Sequence, residues 1–144
     1  MSPAEFKEAL FKIDVNAVEF PVLVDDLLTK IDPTEHQILT THIFDYFEQH
    51  PMEELGMPGS LVHFIESFYP AYAPRLLRSL SDAPNVSAVL MTNRILNSNL
   101  AATDRAEYLS ALKAVASNTL AKPEVQESAR QFLEYQAKQG RLPA

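Results

Sequence analysis

Apolar residues recur every three or four positions along almost the whole chain, which is the spacing of one face of an α-helix. The second such segment shows the pattern most clearly, with apolar side chains at Phe20, Leu23, Val24, Leu27, Leu28 and Ile31. No stretch alternates apolar and polar residues for long enough to predict a β-strand. The spacing therefore predicts an all-α fold.

Proline and capping signals divide this pattern into eight predicted helices. Ser2-Pro3-Ala4-Glu5 combines an N-cap residue, a first-turn proline and a capping-box glutamate, and Asp32-Pro33-Thr34-Glu35 repeats the signal. The later boundaries are predicted at Pro58, at Pro70 to Pro74, after Pro84, at Thr103 or Asp104, at Pro123 and, for the end of the eighth helix, at Gly140.

The eight helices share one predicted domain, residues 1–144, with short linkers between them. Short linkers make sequence neighbours antiparallel. Successive hairpins of about 35 residues predict a stack of the HEAT or armadillo kind. An irregular helical bundle is the alternative, because the sequence has no residue-level repeat.

The sequence offers no recognisable metal or cofactor chemistry. It has no cysteine, and therefore no thiolate ligand or thiol nucleophile. His36, His42 and His50 lack metal-ligand spacing, and no glycine-rich phosphate loop is present. No apolar run approaches the roughly 20 residues of a membrane span, and the first residues do not follow a signal-peptide pattern. We therefore expect no metal, no cofactor, no membrane partner and a cytoplasmic location.

The formal net charge of −7 is unevenly distributed. Residues 1–56 contain 12 acidic and 3 basic residues, whereas residues 57–99 contain 2 and 3, and residues 100–144 contain 5 and 6. The excess negative charge thus lies in the first 56 residues. Because nucleic-acid binding requires a basic stripe, this distribution argues against it. It favours a basic partner, although an acidic surface also serves solubility alone.

The second and third predicted helices are expected to be antiparallel neighbours whose outer acids form one partner-binding surface. The apolar faces leave Asp25 and Asp26 of the second helix, and Asp45 and Glu48 of the third, on the outside. The expected surface residues are Asp25, Asp26, Asp45, Glu48, Glu53 and Glu54. If these acids serve only solubility, binding is expected around Ser67, Arg75 or the C-terminal helices.

Two of the three glycines, Gly56 and Gly59, lie within four positions of each other. Gly56 is predicted to end the third helix in a left-handed turn, since glycine adopts that conformation without steric cost. Pro58 and Gly59 are predicted inside the first turn of the fourth helix. The segment is expected to form a sharp corner between the acidic and the neutral half.

His63 lies off the apolar face of the fourth helix, three positions before Glu66. It can be a polar binding residue, half of a catalytic dyad, or a structural histidine bonded to a backbone carbonyl. The structural role is favoured, because catalysis also needs a nucleophile and an oxyanion donor nearby. On that basis His63→Ala is expected to cost about 1–3 kcal/mol, as for the loss of a buried polar contact.

Asn93 and Asn97 lie four positions apart in a segment, MTNRILNSN, that is otherwise apolar nearly all round. Such a helix is expected at the centre of the fold. Buried amides must find hydrogen-bond partners, either in neighbouring helices or in a bound protein. A structural role is favoured.

Three segments together resemble a family: GMPGSLVHFIESFY, LLRSL and MTNRILNS. They are similar to the small all-helical, HEAT-like immunity proteins of bacterial polymorphic-toxin and contact-dependent inhibition systems. The resemblance covers roughly residues 55–135. Its pattern falls on Pro58, Gly59, Leu61, Val62, His63, Phe64, Glu66, Asn93, Arg94, Ile95, Leu96 and Asn97.

The resemblance implies a protein that is not an enzyme. Such immunity proteins bind the C-terminal toxin domain encoded at their own locus and block its active site or substrate access. Nuclease toxins are typically basic, which agrees with the acidic first half. The motif residues are expected to hold the fold, namely Gly56, Pro58, Gly59, His63, Glu66, Asn93, Arg94 and Asn97. The alternatives are a helical-repeat adaptor with a peptide-binding groove and a small hydrolase built on His63, Glu66 and a serine.

Overall fold

A computed structural model describes residues 1–56 and 58–140, and these residues form eight α-helices and no β-strand. The helices are α1 (Pro3–Phe11), α2 (Phe20–Leu28), α3 (His36–Gln49), α4 (Ser60–Glu66), α5 (Ala73–Asp82), α6 (Val86–Leu96), α7 (Ala102–Ser117) and α8 (Pro123–Lys138). The predicted all-α class and the number of helices are confirmed for this part of the chain.

The predicted capping box begins α1. Ser2 Oγ accepts a hydrogen bond from the Glu5 amide at 3.1 Å, and the Ser2 amide donates to Glu5 Oε1 at 3.0 Å. The second signal starts a single 3₁₀ turn, Pro33–Glu35, in which Asp32 Oδ1 accepts from the Thr34 amide at 3.0 Å. The α-helical part of the third segment therefore begins later than predicted, at residue 36.

The start of α7 differs from the predicted cap, whereas the start of α6 does not. The N-cap position of α7 is Ala101, and no side chain caps this helix, so the prediction of Thr103 or Asp104 as the cap is wrong. The start of α6 after Pro84 is right, and its cap is Asn85, whose Oδ1 accepts from the Ala88 amide at 2.8 Å.

The helices form four successive hairpins arranged in two rows. In one row α1, α3, α5 and α7 pack against one another in chain order. In the other row α2 packs on α4, and α6 packs on α8. The two helices of each hairpin also contact each other. This order is the one expected for a HEAT-like stack, in which each hairpin lies against its chain neighbours.

Helix α6 lies at the centre, where it contacts α3, α5, α7 and α8. Its buried residues cover most of the helix circumference, and one side carries the half-buried Val86, Leu90 and Arg94. The buried residues are Ser87, Ala88, Val89, Met91, Thr92, Asn93, Ile95 and Leu96. The central position predicted from the apolar composition of this segment is confirmed.

Tyr46 of α3 is the largest side chain that is fully buried. Its hydroxyl donates to the Ile13 carbonyl at 3.1 Å, and its ring packs edge-on against Phe11 and parallel to Phe20. Burial raises the pKa of Tyr46 to about 12, with smaller contributions from nearby carboxylates. This ring therefore joins α1 and α2 to α3.

The corner between α3 and α4 requires glycine, but not where the sequence analysis placed it. Helix α3 ends at Gln49, seven residues before Gly56, so Gly56 does not terminate it. Pro58 precedes α4, and Gly59 occupies its N-cap position with φ +85°. The predictions for Gly56, Pro58 and Gly59 are therefore wrong in position. The connection is longer than predicted, and it brings the backbones of the two glycines together: a Cβ on Gly56 would lie 2.5 Å from Gly59 Cα.

Gly59→Ala is expected to destabilise the protein by about 3 kcal/mol or more, because the new Cβ would combine a left-handed conformation with a backbone clash. The Cβ would lie 2.4 Å from the Leu55 carbonyl oxygen. Gly140→Ala is the matched control, since Gly140 has φ +69° but no atom within 4 Å of its Cβ position, and it is expected to cost only about 1 kcal/mol. Urea denaturation measures both, and equal losses would contradict the steric argument.

The stability of the protein is expected to fall as the pH rises above 10. The unfolded chain loses the Tyr46 proton near pH 10, whereas the folded protein keeps it to about pH 12, so alkaline pH favours the unfolded state. For this one group the loss at pH 11 is about 1 kcal/mol. Tyr46→Phe should show a shallower decline between pH 8 and pH 11 in urea denaturation. Parallel declines of both proteins would contradict the assignment to Tyr46.

Candidate partner-binding surface

Asp45 and Glu48 lie half-buried around the guanidinium group of Arg75. Arg75 Nη2 donates to Asp45 Oδ1 at 3.0 Å, and Nη1 donates to Glu48 Oε2 at 2.8 Å. The Arg75 side chain is only 11% exposed, and its guanidinium carbon lies 5.2 Å from the centre of the Phe44 ring. The prediction that both acids lie on the outside is wrong, because α5 packs on α3 and its Arg75 side chain binds both carboxylates.

A second cation and a histidine complete this cluster. Lys7 Nζ contacts Asp45 Oδ2 at 3.1 Å, and His42 Nδ1 lies 4.0 Å from the same oxygen. Burial lowers the pKa of His42, and Lys7 lowers it further against the opposing effect of Asp45. Two carboxylates are thus balanced by Lys7 and Arg75 within the fold.

Asp25 and Asp26 of α2 are exposed, as predicted. Asp26 pairs with Lys30 one helical turn later, at 3.0 Å, and Asp25 accepts a hydrogen bond from Ser60 at the start of α4. Helix α2 packs mainly on α1 and α4, since it lies in the other row from α3. The expected joint surface of the second and third helices is therefore not formed.

Helix α2 and the turn before it leave several apolar side chains in solvent. Val18 is 92% exposed, Val22 70% and Leu23 43%. Leu23 was predicted in the buried stripe, and that prediction is wrong. We define the outer face of α2 as Val18, Glu19, Val22, Leu23, Asp25 and Asp26, all of them exposed. The sequence analysis did not identify Val18 and Val22 as exposed surface residues, because this segment has more apolar residues than one buried helix face needs.

The remaining predicted acids lie in the loop between α3 and α4. Glu54 is exposed and borders a cavity of about 490 Å³ between this loop, α6 and α8. Glu53 is half-buried, and its Oε2 atom is buried without a hydrogen-bond partner among the described residues. Glu54 therefore belongs to the exposed acidic surface, and Glu53 does not.

Glu66 and Arg94 join the two motif segments across the gap between α4 and α6. Arg94 Nε donates to Glu66 Oε2 at 2.6 Å, and Nη2 donates to Oε1 at 3.0 Å. This bidentate pairing raises the pKa of Arg94. Because two parallel hydrogen bonds fix the relative orientation of the two side chains, the pair forms a geometrically specific link between α4 and α6.

His63 lies beside this pair, with Nδ1 3.5 Å from Glu66 Oε1, and its side chain is 60% exposed. The buried polar contact assumed for His63 is therefore wrong, since the residue faces solvent. Its neighbours Ser60 and Ser67 donate to Asp25 and to the Phe64 carbonyl, respectively. Neither of these two serine hydroxyls therefore donates a hydrogen bond to His63.

Asn93 and Asn97 converge on one amide from α8. Gln136 Nε2 donates to Asn93 Oδ1 at 2.6 Å and to Asn97 Oδ1 at 2.9 Å. Gln136 is fully buried and Asn93 is 6% exposed, which agrees with the structural role favoured for Asn93. The burial expected for Asn97 is wrong, because it occupies the C-cap of α6 and is exposed.

Within residues 1–56 and 58–140, no group of three or more His, Asp or Glu side chains is placed to hold a metal ion. None of the described helices combines the length and the apolar character that crossing a membrane requires. No protein-family model matches this chain, and neither a curated protein nor a solved structure shows significant similarity to it.

His63→Ala is now expected to change the free energy of unfolding by less than about 0.5 kcal/mol, because exposed charged contacts contribute little.

Arg94→Met should cost about 2 kcal/mol, since it leaves the half-buried Glu66 carboxylate without its guanidinium. Urea denaturation measures both. Adding Glu66→Gln to Arg94→Met should cost less than the sum of the single changes, and strict additivity would contradict the coupling.

Proposed function

We propose that this protein is an immunity protein that binds a basic toxin domain of the nuclease class and blocks its active site. The proposal rests on the resemblance of residues 55–135 to HEAT-like immunity proteins. The single observation in the fold that carries it is the outer face of α2, where exposed carboxylates surround exposed apolar side chains.

The acidic half keeps most of its charge at the surface. Nine of its twelve acids are exposed: Glu5, Glu8, Asp14, Glu19, Asp25, Asp26, Asp32, Glu35 and Glu54. Only Lys12 and Lys30 are exposed basic residues in the same region, since Lys7 is half-buried beside Asp45. Such an excess attracts a basic partner and accelerates its association, most strongly at low salt.

The outer face of α2 has the composition of a protein–protein contact. Val18 and Val22 offer apolar area that the fold itself leaves in water, and apolar residues form the centre of most interfaces. Asp25 and Asp26 lie one turn further along, where carboxylates can pair with arginine and lysine side chains. In a nuclease those side chains hold substrate phosphates, so their occupation by carboxylates would prevent substrate binding.

The proposed inhibitor acts without catalysis, without a cofactor and without direct contact to nucleic acid, in the cytoplasm. The arrangement around His63 supports this assignment over the hydrolase alternative. Glu66 is held by two hydrogen bonds from Arg94, and both nearby serines donate to other acceptors. A nucleophile activated by His63 would require a hydroxyl in hydrogen-bond contact with it.

The two-row arrangement also favours a second candidate, a helical-repeat adaptor that binds extended segments of other proteins. The range of partners separates the two functions. An adaptor is expected to bind several peptides with micromolar affinity, whereas an immunity protein should bind one folded domain far more tightly.

The double variant Asp25→Lys/Asp26→Lys is expected to slow association with the basic toxin domain encoded beside this protein by about tenfold or more at low salt. It should also reduce the salt dependence of the rate. Asp104→Lys/Glu107→Lys is the matched control, since it changes the net charge equally at exposed positions of α7. Stopped-flow mixing at two ionic strengths measures both rates.

If both double variants slow association equally, net charge alone acts and the outer face of α2 is not the contact. If neither slows it and both still protect cells that express the toxin, the acidic half serves solubility. Absence of any basic toxin domain bound by the unaltered protein would overturn the proposed function itself.

A further inference from the structure

The cavity of about 490 Å³ between α6, α8 and the loop after α3 has an apolar wall. Leu55 is buried at this wall, and Val86, Leu90 and Phe132 are half-buried there. Met52, which is 43% exposed, lies at the same cavity. The cavity volume is within the range of about 300–1,000 Å³ that is common for small-molecule sites. The cavity is therefore large enough for an organic ligand with an apolar body.

One end of this cavity is polar, because the first turns of α6 and α8 lie there. Ser87 belongs to the first turn of α6, and Glu124 belongs to the first turn of α8. The two helices run in the same direction, since the cavity joins their earlier turns and the hydrogen bond from Gln136 to Asn93 joins their later turns. The polar groups of both first turns therefore meet at one end, and the apolar residues of the following turns lie beyond them.

Ser87 carries an unpaired hydroxyl at the polar end. The residue is only 5% exposed, and its hydroxyl forms no hydrogen bond with any described residue. Thr92, which bears the other buried hydroxyl of α6, donates to the Ala88 carbonyl at 2.8 Å. Unlike the enclosed Arg75 Nε atom, the Ser87 oxygen keeps some accessible surface, and Ser87 lines the cavity. A ligand in the cavity can therefore give this hydroxyl the partner that buried polar groups require.

Three exposed carboxylates also line the cavity, those of Glu54, Glu124 and Glu127. None of the described residues that line it is a Lys, an Arg or a His. Arg130 lies 3.2 Å from Glu127, whereas Glu54 and Glu124 form no ion pair with a described residue. Two carboxylates at the cavity are thus available to a ligand.

The positive ends of two helix dipoles oppose these carboxylates but do not cancel them. Each helix N-terminus is equivalent to about half of a positive elementary charge. With Arg130 beside Glu127, the three carboxylates still leave an excess of about one negative charge at the polar end. This charge disfavours an anion. It favours an ammonium or guanidinium group, which donates charge-assisted hydrogen bonds to carboxylates.

We propose that the cavity between α6 and α8 binds a small organic cation, a molecule with one ammonium or guanidinium group and an apolar body. The cationic group lies at the polar end, where it donates hydrogen bonds to the Ser87 hydroxyl and to the carboxylates of Glu54 and Glu124. The apolar body lies against Leu90 and Phe132. This site does not include the outer face of α2 and does not depend on the proposed toxin contact.

Titration of the full chain with phenethylamine, followed by amide NMR shifts, tests this site. Saturable shifts are expected in the first turns of α6 and α8. Hydrocinnamate, which has the same ring on a chain of similar length but carries a negative charge, should not bind at these amides. Methylamine should bind at them more weakly than phenethylamine, because it lacks the apolar body.

Ser87→Ala should weaken phenethylamine binding about fivefold or more, as expected for the loss of a hydrogen bond to a charged group. It should not lower the midpoint of urea denaturation, because the hydroxyl has no partner in the protein to lose and alanine favours a helix. A lower midpoint with unchanged affinity would show that Ser87 supports the fold and does not contact the ligand, and would contradict the proposal.

The double variant Glu54→Gln/Glu124→Gln should weaken phenethylamine binding about tenfold or more, because it removes both available carboxylates. Asp104→Asn/Glu107→Gln is the matched control, since it removes two exposed charges near the start of α7, and it should leave the affinity unchanged. Circular dichroism checks that both variants are folded as the unaltered protein is.

Four results would overturn the proposal: no saturable shift with phenethylamine, equal binding of hydrocinnamate, equal binding of methylamine, or equal weakening by the two double variants. A hexapeptide with adjacent arginine and phenylalanine tests a protein segment as the occupant. If it binds at the same amides about tenfold more tightly than phenethylamine, the cavity receives a protein segment and the assignment to a small ligand is wrong.

Discussion

The guanidinium group of Arg75 fixes the relation between α3 and α5. It binds both Asp45 and Glu48 of α3. Lys7 of α1, the helix on the other side of α3 in the same row, also binds Asp45. Three successive helices of one row therefore share a single ion-pair cluster. Because the Arg75 guanidinium is largely withdrawn from water, its removal would leave Glu48 without its cation and Asp45 with Lys7 alone at a helix contact, which is costly. The same clamp aligns the first turns of α3 and α5.

The helices of the other row are connected by one ion pair and one buried amide contact. Glu66 and Arg94 connect α4 to α6, and Gln136 connects α6 to α8 through Asn93. These contacts are more specific in geometry than apolar packing, since a bidentate ion pair and a buried amide each accept only a narrow range of orientations. Three of the motif residues, Glu66, Asn93 and Arg94, thus make side-chain contacts between helices, whereas His63 faces solvent.

The eight helices were predictable because helical periodicity and capping are local properties of the sequence. The surroundings of the charged residues were not. Asp45 lies off the apolar face of α3 as expected, yet α5 covers it, and only the two-row arrangement reveals this. Likewise, Leu23 fits the periodic apolar stripe of α2 in the sequence but is exposed in the structure, because α2 is an outer helix with few neighbours. The sequence indicated that the corner before α4 needs glycine. It did not place the two glycines correctly relative to the helix ends, because the loop between α3 and α4 is longer than the sequence signals implied.

The contact between Asn93 and Gln136 spans 43 positions of the chain. During synthesis the ribosome releases α6 first, and the amide that satisfies Asn93 does not exist until α8 has emerged. The central helix of the fold must therefore wait, with polar groups unpaired and much of its apolar surface uncovered, while two further helices are made. A nascent chain of this protein is expected to stay vulnerable to proteases and to recruit chaperones until α8 is free, however early the first hairpins form.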